Sequence, residues 1–331
     1  MSSPENRRSS PLARESAKIL AAAVRRASST LATTLTARTC AIAATLLFVF
    51  SATAAAQQPR RIFISVDMEG IGGVGTPAMT SAGGKDYDLA RRLMTDEVNA
   101  VVAAIFESGP ATVLVNDSHG DMQNLLHTEL DPRVTYIQGA VKPVGMVAGL
   151  DSTFDAAFFI GYHARAGTPD AFLAHTGTGS VKGLWLDDRE VGEGGLNAAY
   201  AAALGVPVLL ASGDSAFVAQ FGQNVGAELV TTKWAVTDVS AKLIHPKVVH
   251  ERLVAAAKRA LARSGAAGAA KQLDVGKPVR VRMRFSDTAL PQILEAIPGV
   301  KRVDGYTVGF TAASMAEAYP IIRLMYRFVR I

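Results

Sequence analysis

The chain has 331 residues, 49% of them hydrophobic and 19% charged. That composition suits one large or two modest packed domains and excludes a disordered chain. The net charge of +5 belongs to residues 1–56, which hold seven basic and two acidic residues; the remainder carries 27 of each and gives no case for a nucleic-acid partner. The single cysteine, Cys40, lies in the same N-terminal stretch, so any metal site further along must use His, Asp and Glu.

In chain order, the first feature is a leader. Residues 39–59 contain no charge, residues 41–50 are an apolar run preceded by arginines, and Ala54-Ala55-Ala56 fits a small-residue cleavage site before Gln57. Residues 1–56 therefore read as a secretory signal peptide, and the product is expected to be exported, periplasmic or secreted. An uncleaved anchor is the alternative, but the apolar run is short for a membrane span.

Residues 61–66 (RIFISV) predict a strand, and residues 87–108 have helical periodicity stopped by Gly109-Pro110. Short apolar runs recur at 111–116, 155–161 and 206–211, the last after a helix expected over 196–204. Such runs alternating with helices predict an α/β fold with an open, largely parallel sheet flanked by helices. From about residue 277 the pattern changes to a strand over 279–285, a helix over 290–297, a strand over 302–311 and a helix over 313–328. The expected division is a catalytic α/β domain over 57–270 and a small β-α-β-α domain or appendage over 271–331, with the boundary in the Gly/Ala-rich stretch 265–276.

The chemistry gathers where the first three runs end. The first ends in Ser65-Val66-Asp67-Met68-Glu69-Gly70, the second in Asn116-Asp117-Ser118-His119, the third in Gly161-Tyr162-His163. Asp67 and Glu69 are two apart, so in an extended chain they point the same way. The C-terminal edge of an open α/β sheet is where ligands bind. Neighbouring carboxylates repel, and a cation removes the conflict. Oxygen and imidazole donors together suit zinc, manganese or cobalt better than calcium. With Glu193 the site carries three carboxylates against the +4 of two divalent ions, a balance that favours a bound hydroxide as nucleophile.

Each residue has a plainer role open to it. Asp67 and Glu69 suit a solvated loop, Asp117 and Ser118 suit a turn, Glu193 suits a helix N-terminus, and His163 suits a hydrogen-bonded core. His127 reads as structural within a leucine-containing helical stretch, as do His245 and His250 around Pro246. Gly70-Ile71-Gly72-Gly73-Val74-Gly75 matches the dinucleotide fingerprint G-x-G-x-x-G. Two carboxylates precede it and no helix opens directly after it, so a loop beside the metal site is the expected reading.

Ser65-Val66-Asp67-Met68-Glu69-Gly70 resembles the SxDxEG signature of the zinc-dependent D-aminopeptidases of the DppA type. The likeness continues through Val115 to His119, Asp151 to Phe154, Gly161 to Arg165, His175, Val191 to Ala198 and Gly213-Asp214, in one colinear order. The resemblance implies two zinc ions on Asp67, Glu69, His119, His163 and Glu193, with Asp67 bridging. It implies a catalytic histidine at His175, as base, acid or nucleophile. It also implies a ring-shaped homodecamer and short peptide substrates with an N-terminal D-residue, such as D-Ala-D-Ala. The leader departs from the cytoplasmic members of that family. On residue types alone, Asn116 and Asp117 are expected to orient His119. The rival readings are another metal-dependent amidase or a phosphoesterase, for which Arg165 and Lys182 are the nearby cations, and an exported peptide-binding protein.

Overall fold

A computed structural model describes residues 58–263 and 271–327, together with positions 22 and 26 in a helix. The leader expected over 1–56 falls almost wholly outside the described residues, and so do residues 264–270, where the domain boundary was placed.

The elements in chain order are β1 (Arg60–Val66), α1 (Tyr87–Glu107), β2 (Ala111–Asp117), β3 (Thr135–Ile137), β4 (Ala156–Tyr162), β5 (Val181–Leu186) and β6 (Arg189–Glu190). There follow α2 (Glu193–Ala203), β7 (Val208–Asp214), α3 (Ser215–Asn224), β8 (Glu228–Thr237), β9 (Ser240–Leu243) and α4 (Pro246–Arg263). The last are β10 (Val279–Phe285), α5 (Ala289–Leu294), β11 (Lys301–Arg302), β12 (Thr307–Ala312) and α6 (Met315–Arg327).

Seven strands form one sheet in the order β3-β2-β1-β4-β7-β8-β9, parallel throughout except for the antiparallel edge pair β8–β9. This is the expected open, largely parallel sheet. The chain winds outward from β1 through β2 and β3, then returns to β4 on the other side of β1. That reversal opens a crevice at the C-terminal ends of β2, β1 and β4.

Side-chain alternation along β1 assigns the two layers. Ile62, Ile64 and Val66 pack on Met94, Val98 and Val101 of α1 and on Val249 and Leu253 of α4. Phe63 faces the opposite core, which contains Leu196 of α2, Phe217 of α3 and Tyr319 of α6. Each such side chain contributes about 1.5–3 kcal/mol of burial free energy.

The elements expected after residue 277 are present, but their strands do not make a sheet of their own. β10 lies between β12 and β5 in a five-stranded antiparallel sheet ordered β11-β12-β10-β5-β6. The C-terminal segment thus completes a sheet begun by β5 and β6, and it carries α6 back onto α2. The stretch around His127 forms turns rather than the expected helix. Asp117 is the physical reason: its carboxylate accepts from the backbone N–H of Asn124 (2.6 Å) and Leu125 (2.8 Å), holding that chain in a loop. Among the described residues no helix is long and apolar enough to cross a membrane.

Candidate active site

Strand β1 stops at Val66, so Asp67 and Glu69 are presented by a turn rather than by extended chain. The turn still brings both carboxylates to one imidazole. His119 Nδ1 lies 3.2 Å from Asp67 Oδ1 and 3.0 Å from Glu69 Oε2. On the far side of Asp67, His163 Nε2 lies 3.4 Å from Asp67 Oδ2 and 2.7 Å from Glu193 Oε2. His119 and His163 follow the ends of β2 and β4, the strands on either side of β1. Glu193 is the first residue of α2, one turn earlier than the helix expected from residue 196. All five side chains are buried.

The backbone sets the orientation of both rings. A carbonyl can only accept, so the ring nitrogen facing it carries the proton. His119 Nε2–H donates to the Thr80 carbonyl (2.7 Å), and His163 Nδ1–H donates to the Ala164 carbonyl (2.9 Å). Burial lowers both imidazoles, but the neighbouring carboxylates outweigh it and raise His119 and His163 above their ordinary range; a bound cation would replace that proton and take the lone pair on the carboxylates' side, the arrangement usual for metal-ligating histidines. Asn116 and Asp117, expected to orient His119, do not touch its ring. Asn116 Nδ2 donates to the Met146 carbonyl (2.8 Å), and Asp117 acts through Asn124, whose Nδ2 donates to the His119 carbonyl (2.8 Å). Thr80 takes the orienting role because the loop after β1 folds over the histidine, a contact no local motif announces.

Two observations test whether these donors suit a cation. Asp67 Oδ2 is buried without a hydrogen-bond partner, and His163 Nε2, 3.4 Å from it, is turned to it and to Glu193 Oε2 at 2.7 Å. Acceptor atoms facing one another in this way are costly unless something positive lies between them. Burial, and then the charge of Glu69, push Asp67 up to about 8. Nitrogen and carboxylate oxygen are also a donor set suited to zinc. The residues fit the metal that the sequence implies.

Two overlapping triads, Asp67-Glu69-His119 and Asp67-His163-Glu193, each place three potential ligand atoms within 4.8 Å of one another, and both include Asp67. The half-buried ring of His175 stacks on His163 with centroids 4.1 Å apart. Its Nδ1–H donates to the Leu173 carbonyl (2.8 Å). His175 also belongs to a third possible donor group with Glu69 and His163.

A buried polar network supports this floor. Ser65 Oγ bonds the Ser118 hydroxyl (2.8 Å) and the Tyr162 hydroxyl (2.6 Å), and Asn197 Nδ2 donates to the same tyrosine oxygen (2.9 Å). The Ser of the sequence signature is therefore a structural bond between adjacent strands. Gly70 is required by close approach: a Cβ there would meet the Tyr162 carbonyl oxygen at 2.1 Å. The loop from Gly70 to Gly75 leads into a 3-10 turn, Pro77–Thr80, so no helix N-terminus is available for a pyrophosphate.

Residue-type reasoning did not single out Lys142, Lys233 or Arg323. Lys142 Nζ donates to Asn116 Oδ1 (2.7 Å) and to the Asp117 carbonyl (2.6 Å). Lys233 is wholly buried and donates to the carbonyls of Glu69 and Val74. A lysine inside the central run of β8 and an arginine on the apolar stripe of α6 were the available signals. Arg165 pairs with Glu190 at 3.0 Å, and Lys182 is exposed.

Comparison with known proteins agrees with this geometry. Residues 60–324 match the profile of the peptidase M55 family, described as D-aminopeptidase. A D-aminopeptidase of Bacillus subtilis (strain 168) is 35% identical over 267 residues, covering 80% of this chain and 96% of that protein. A solved structure, the Zn-dependent D-aminopeptidase DppA from Bacillus subtilis, described as a self-compartmentalizing protease, superposes with a TM-score of 0.77 at 34% identity. The match covers 81% of this chain and 97% of that one. With the family profile spanning most of the chain and the donor residues gathered at one sheet edge, this protein belongs to the D-aminopeptidase family of M55 peptidases.

Proposed function

We propose that this chain is a binuclear zinc aminopeptidase that releases N-terminal D-amino acids, such as D-alanine, from short peptides. The observation that carries the proposal is the pair of buried triads sharing Asp67. Glu69 and His119 would complete one zinc site, His163 and Glu193 the other, with Asp67 common to both. Manganese or cobalt would suit the same donors. Bound zinc supplies Lewis acidity, which polarises a carbonyl and lowers the pKa of water.

The chain's own residues account for the rest of the reaction. The cavity over the site, about 470 Å³, is lined by Asp67, Glu69, His119, His175 and Glu193, and it falls in the size range of small-ligand pockets. His175 Nε2 carries a proton between the attacking and leaving groups. The Gly177 N–H donates to Glu193 Oε1 at 2.8 Å and keeps that carboxylate turned toward His163.

The test is to assay purified protein on D-Ala-D-Ala and L-Ala-L-Ala, with and without a chelator, and to count bound metal. Chelator-sensitive cleavage of the D-peptide alone, with two zinc ions per chain, is the expected result. Cleavage of the L-peptide would overturn the stereochemical assignment, and protein without metal would sink the proposal. His175→Ala is expected to retain both metal ions while kcat falls by about a hundredfold or more. Metal loss in that variant, read by elemental analysis, would make His175 a ligand instead.

The B. subtilis relative is described as self-compartmentalizing. We extend that to a ring-shaped homodecamer here, which light scattering would test. Export is proposed from the leader, and N-terminal sequencing of the mature protein should begin at Gln57. Of the two cations weighed for a phosphoesterase, Arg165 is held by Glu190 and neither it nor Lys182 lines the cavity, although Arg323 and Arg327 do. The peptide-binding reading is weakened by the complete donor set.

A further inference from the structure

The loop that carries His175 runs from residue 163 to 180, between β4 and β5, without a helix or strand of its own. A loop of that length has many conformations open to it, whereas a group that transfers protons must be held in one. Two of its anchors are ordinary. Phe172 is wholly buried in the core shared with α1 and α4, and Thr176 Oγ1 accepts from the Ala166 N–H at 3.1 Å. Between these anchors Leu173 has φ +49, a left-handed conformation unfavourable for a residue with a Cβ, so the surroundings must impose it.

The constraint comes from the edge of the sheet. β8 pairs with β7 only as far as Lys233; from Trp234 onward its partner is β9 alone. The two strands therefore continue past the sheet as a ribbon, whose tip is the turn at Asp238 and Val239. Two strands by themselves are marginally stable. Here Lys242, directly opposite Trp234, places its ammonium 5.6 Å from the indole centroid and stiffens the pair. The tip lands on the His175 loop. The Asp238 carbonyl accepts from the Leu173 N–H (2.8 Å), and Asp238 Oδ1 accepts from the Ala174 N–H (3.2 Å). Two successive N–H groups converge on one residue, which fixes the left-handed bend. The bend turns the Leu173 carbonyl to His175 Nδ1 at 2.8 Å. That bond, with the stacking on His163, sets the plane of the ring.

We propose that Asp238 is a positioning residue for the reaction: from the tip of the ribbon it holds Leu173 and Ala174, and through them the proton-carrying Nε2 of His175. The proposal deepens the peptidase reading and rests on it. The bond to Ala174 needs an acceptor oxygen rather than a charge, so asparagine can serve in place of aspartate and alanine cannot. The Asp238 carbonyl belongs to the backbone and survives either substitution. Loss of the side chain therefore loosens the bend without releasing the loop.

The test measures kcat and KM for D-Ala-D-Ala, together with bound zinc, in the wild-type protein, Asp238→Ala and Asp238→Asn, and repeats Asp238→Ala in a His175→Ala background. Asp238→Ala is expected to lower kcat about fivefold to tenfold, the range of one hydrogen bond, with KM and zinc content nearly unchanged. Asp238→Asn should restore most of the rate. Once His175 is alanine, Asp238→Ala should cost nothing further, because the two residues act as one unit. An unchanged kcat in Asp238→Ala would overturn the proposal, and so would an Asp238→Asn variant as slow as Asp238→Ala. Loss of zinc, or the same fold-loss with and without His175, would show a general loosening of the cavity and overturn it as well. All of these outcomes leave the peptidase reading intact. Metal-loaded wild-type protein that cleaves neither D-Ala-D-Ala nor L-Ala-L-Ala would remove that reading and this proposal together.

Discussion

His119→Ala is expected to remove one metal ion, or both, and to lower kcat/KM for D-Ala-D-Ala by far more than a hundredfold, with the fold retained. The magnitude follows by comparison. Losing a group that merely orients a ligand costs about 10–100-fold in affinity or activity, and losing the ligand itself costs more. His119 is the imidazole that stands between Asp67 and Glu69. Without it those two buried carboxylates face each other with one fewer donor for the cation that neutralises them. The fold survives because the ring contributes to no hydrophobic core. Its other anchor is a single bond to the Thr80 carbonyl; the loop that carries His119 is held independently by Asp117 and Asn124, and the loop from Glu69 to Val74 by Lys233. Elemental analysis, circular dichroism and a rate assay on one preparation decide the matter. A folded variant with full metal content and near-normal turnover would show that the reaction is carried elsewhere.

The second large effect is expected from Lys233→Met. Lys233 projects from β8 under the glycine-rich loop, and its ammonium donates to the carbonyls of Glu69 and Val74 while lying 4.9 Å from the centroid of the Phe172 ring. It thus ties both ends of the loop that presents Glu69. Burial pushes Lys233 down to about 7 and pushes the neighbouring buried Glu97 up to about 8. Glu97 in turn accepts from the Gly72 N–H at 2.6 Å, so the loop is held from above and below by buried polar groups. Methionine preserves most of the volume and removes the donors. Two buried carbonyls left unpaired cost about 1–3 kcal/mol each. A destabilisation of about 3 kcal/mol corresponds to a Tm lower by roughly 6–12 °C for a chain of this size. Zinc affinity should fall about 10–100-fold, because Glu69 loses its positioning. Thermal melts in the apo and zinc-loaded states separate the two effects. A lowered Tm with unchanged zinc affinity would confine Lys233 to a structural role.

Both predictions concern groups of differing legibility. His119 is visible in sequence because an apolar run ends in Asn116-Asp117-Ser118-His119 just as its neighbours end in Asp67 and in His163. Lys233 carries no such signal: a lysine within β8 becomes important only when the pairing of β7 with β8 brings it beneath the loop after β1. The orientation of His119 has the same character. Asn116 and Asp117 are the nearer candidates along the chain, yet Thr80, 39 residues away, is the group that meets the ring.

By itself the sequence determined the parts that short-range physics encodes. Apolar runs of strand length, helical periodicity with Gly-Pro stops, and acids and histidines at the ends of runs define a parallel α/β sheet with a carboxylate-rich edge. The motif order was enough to name the family resemblance and the donor residues. Tertiary structure decided the rest. Pairing of β5 with β10 joins segments about a hundred residues apart, and strand pairing is specified by the partner, not by the strand alone. That pairing returns α6 to the cavity, where Arg323 and Tyr326 are among the lining residues. A lone arginine on a C-terminal helix carries no information about its partner until the sheet places it there, because charge acts through distance in space and not along the chain.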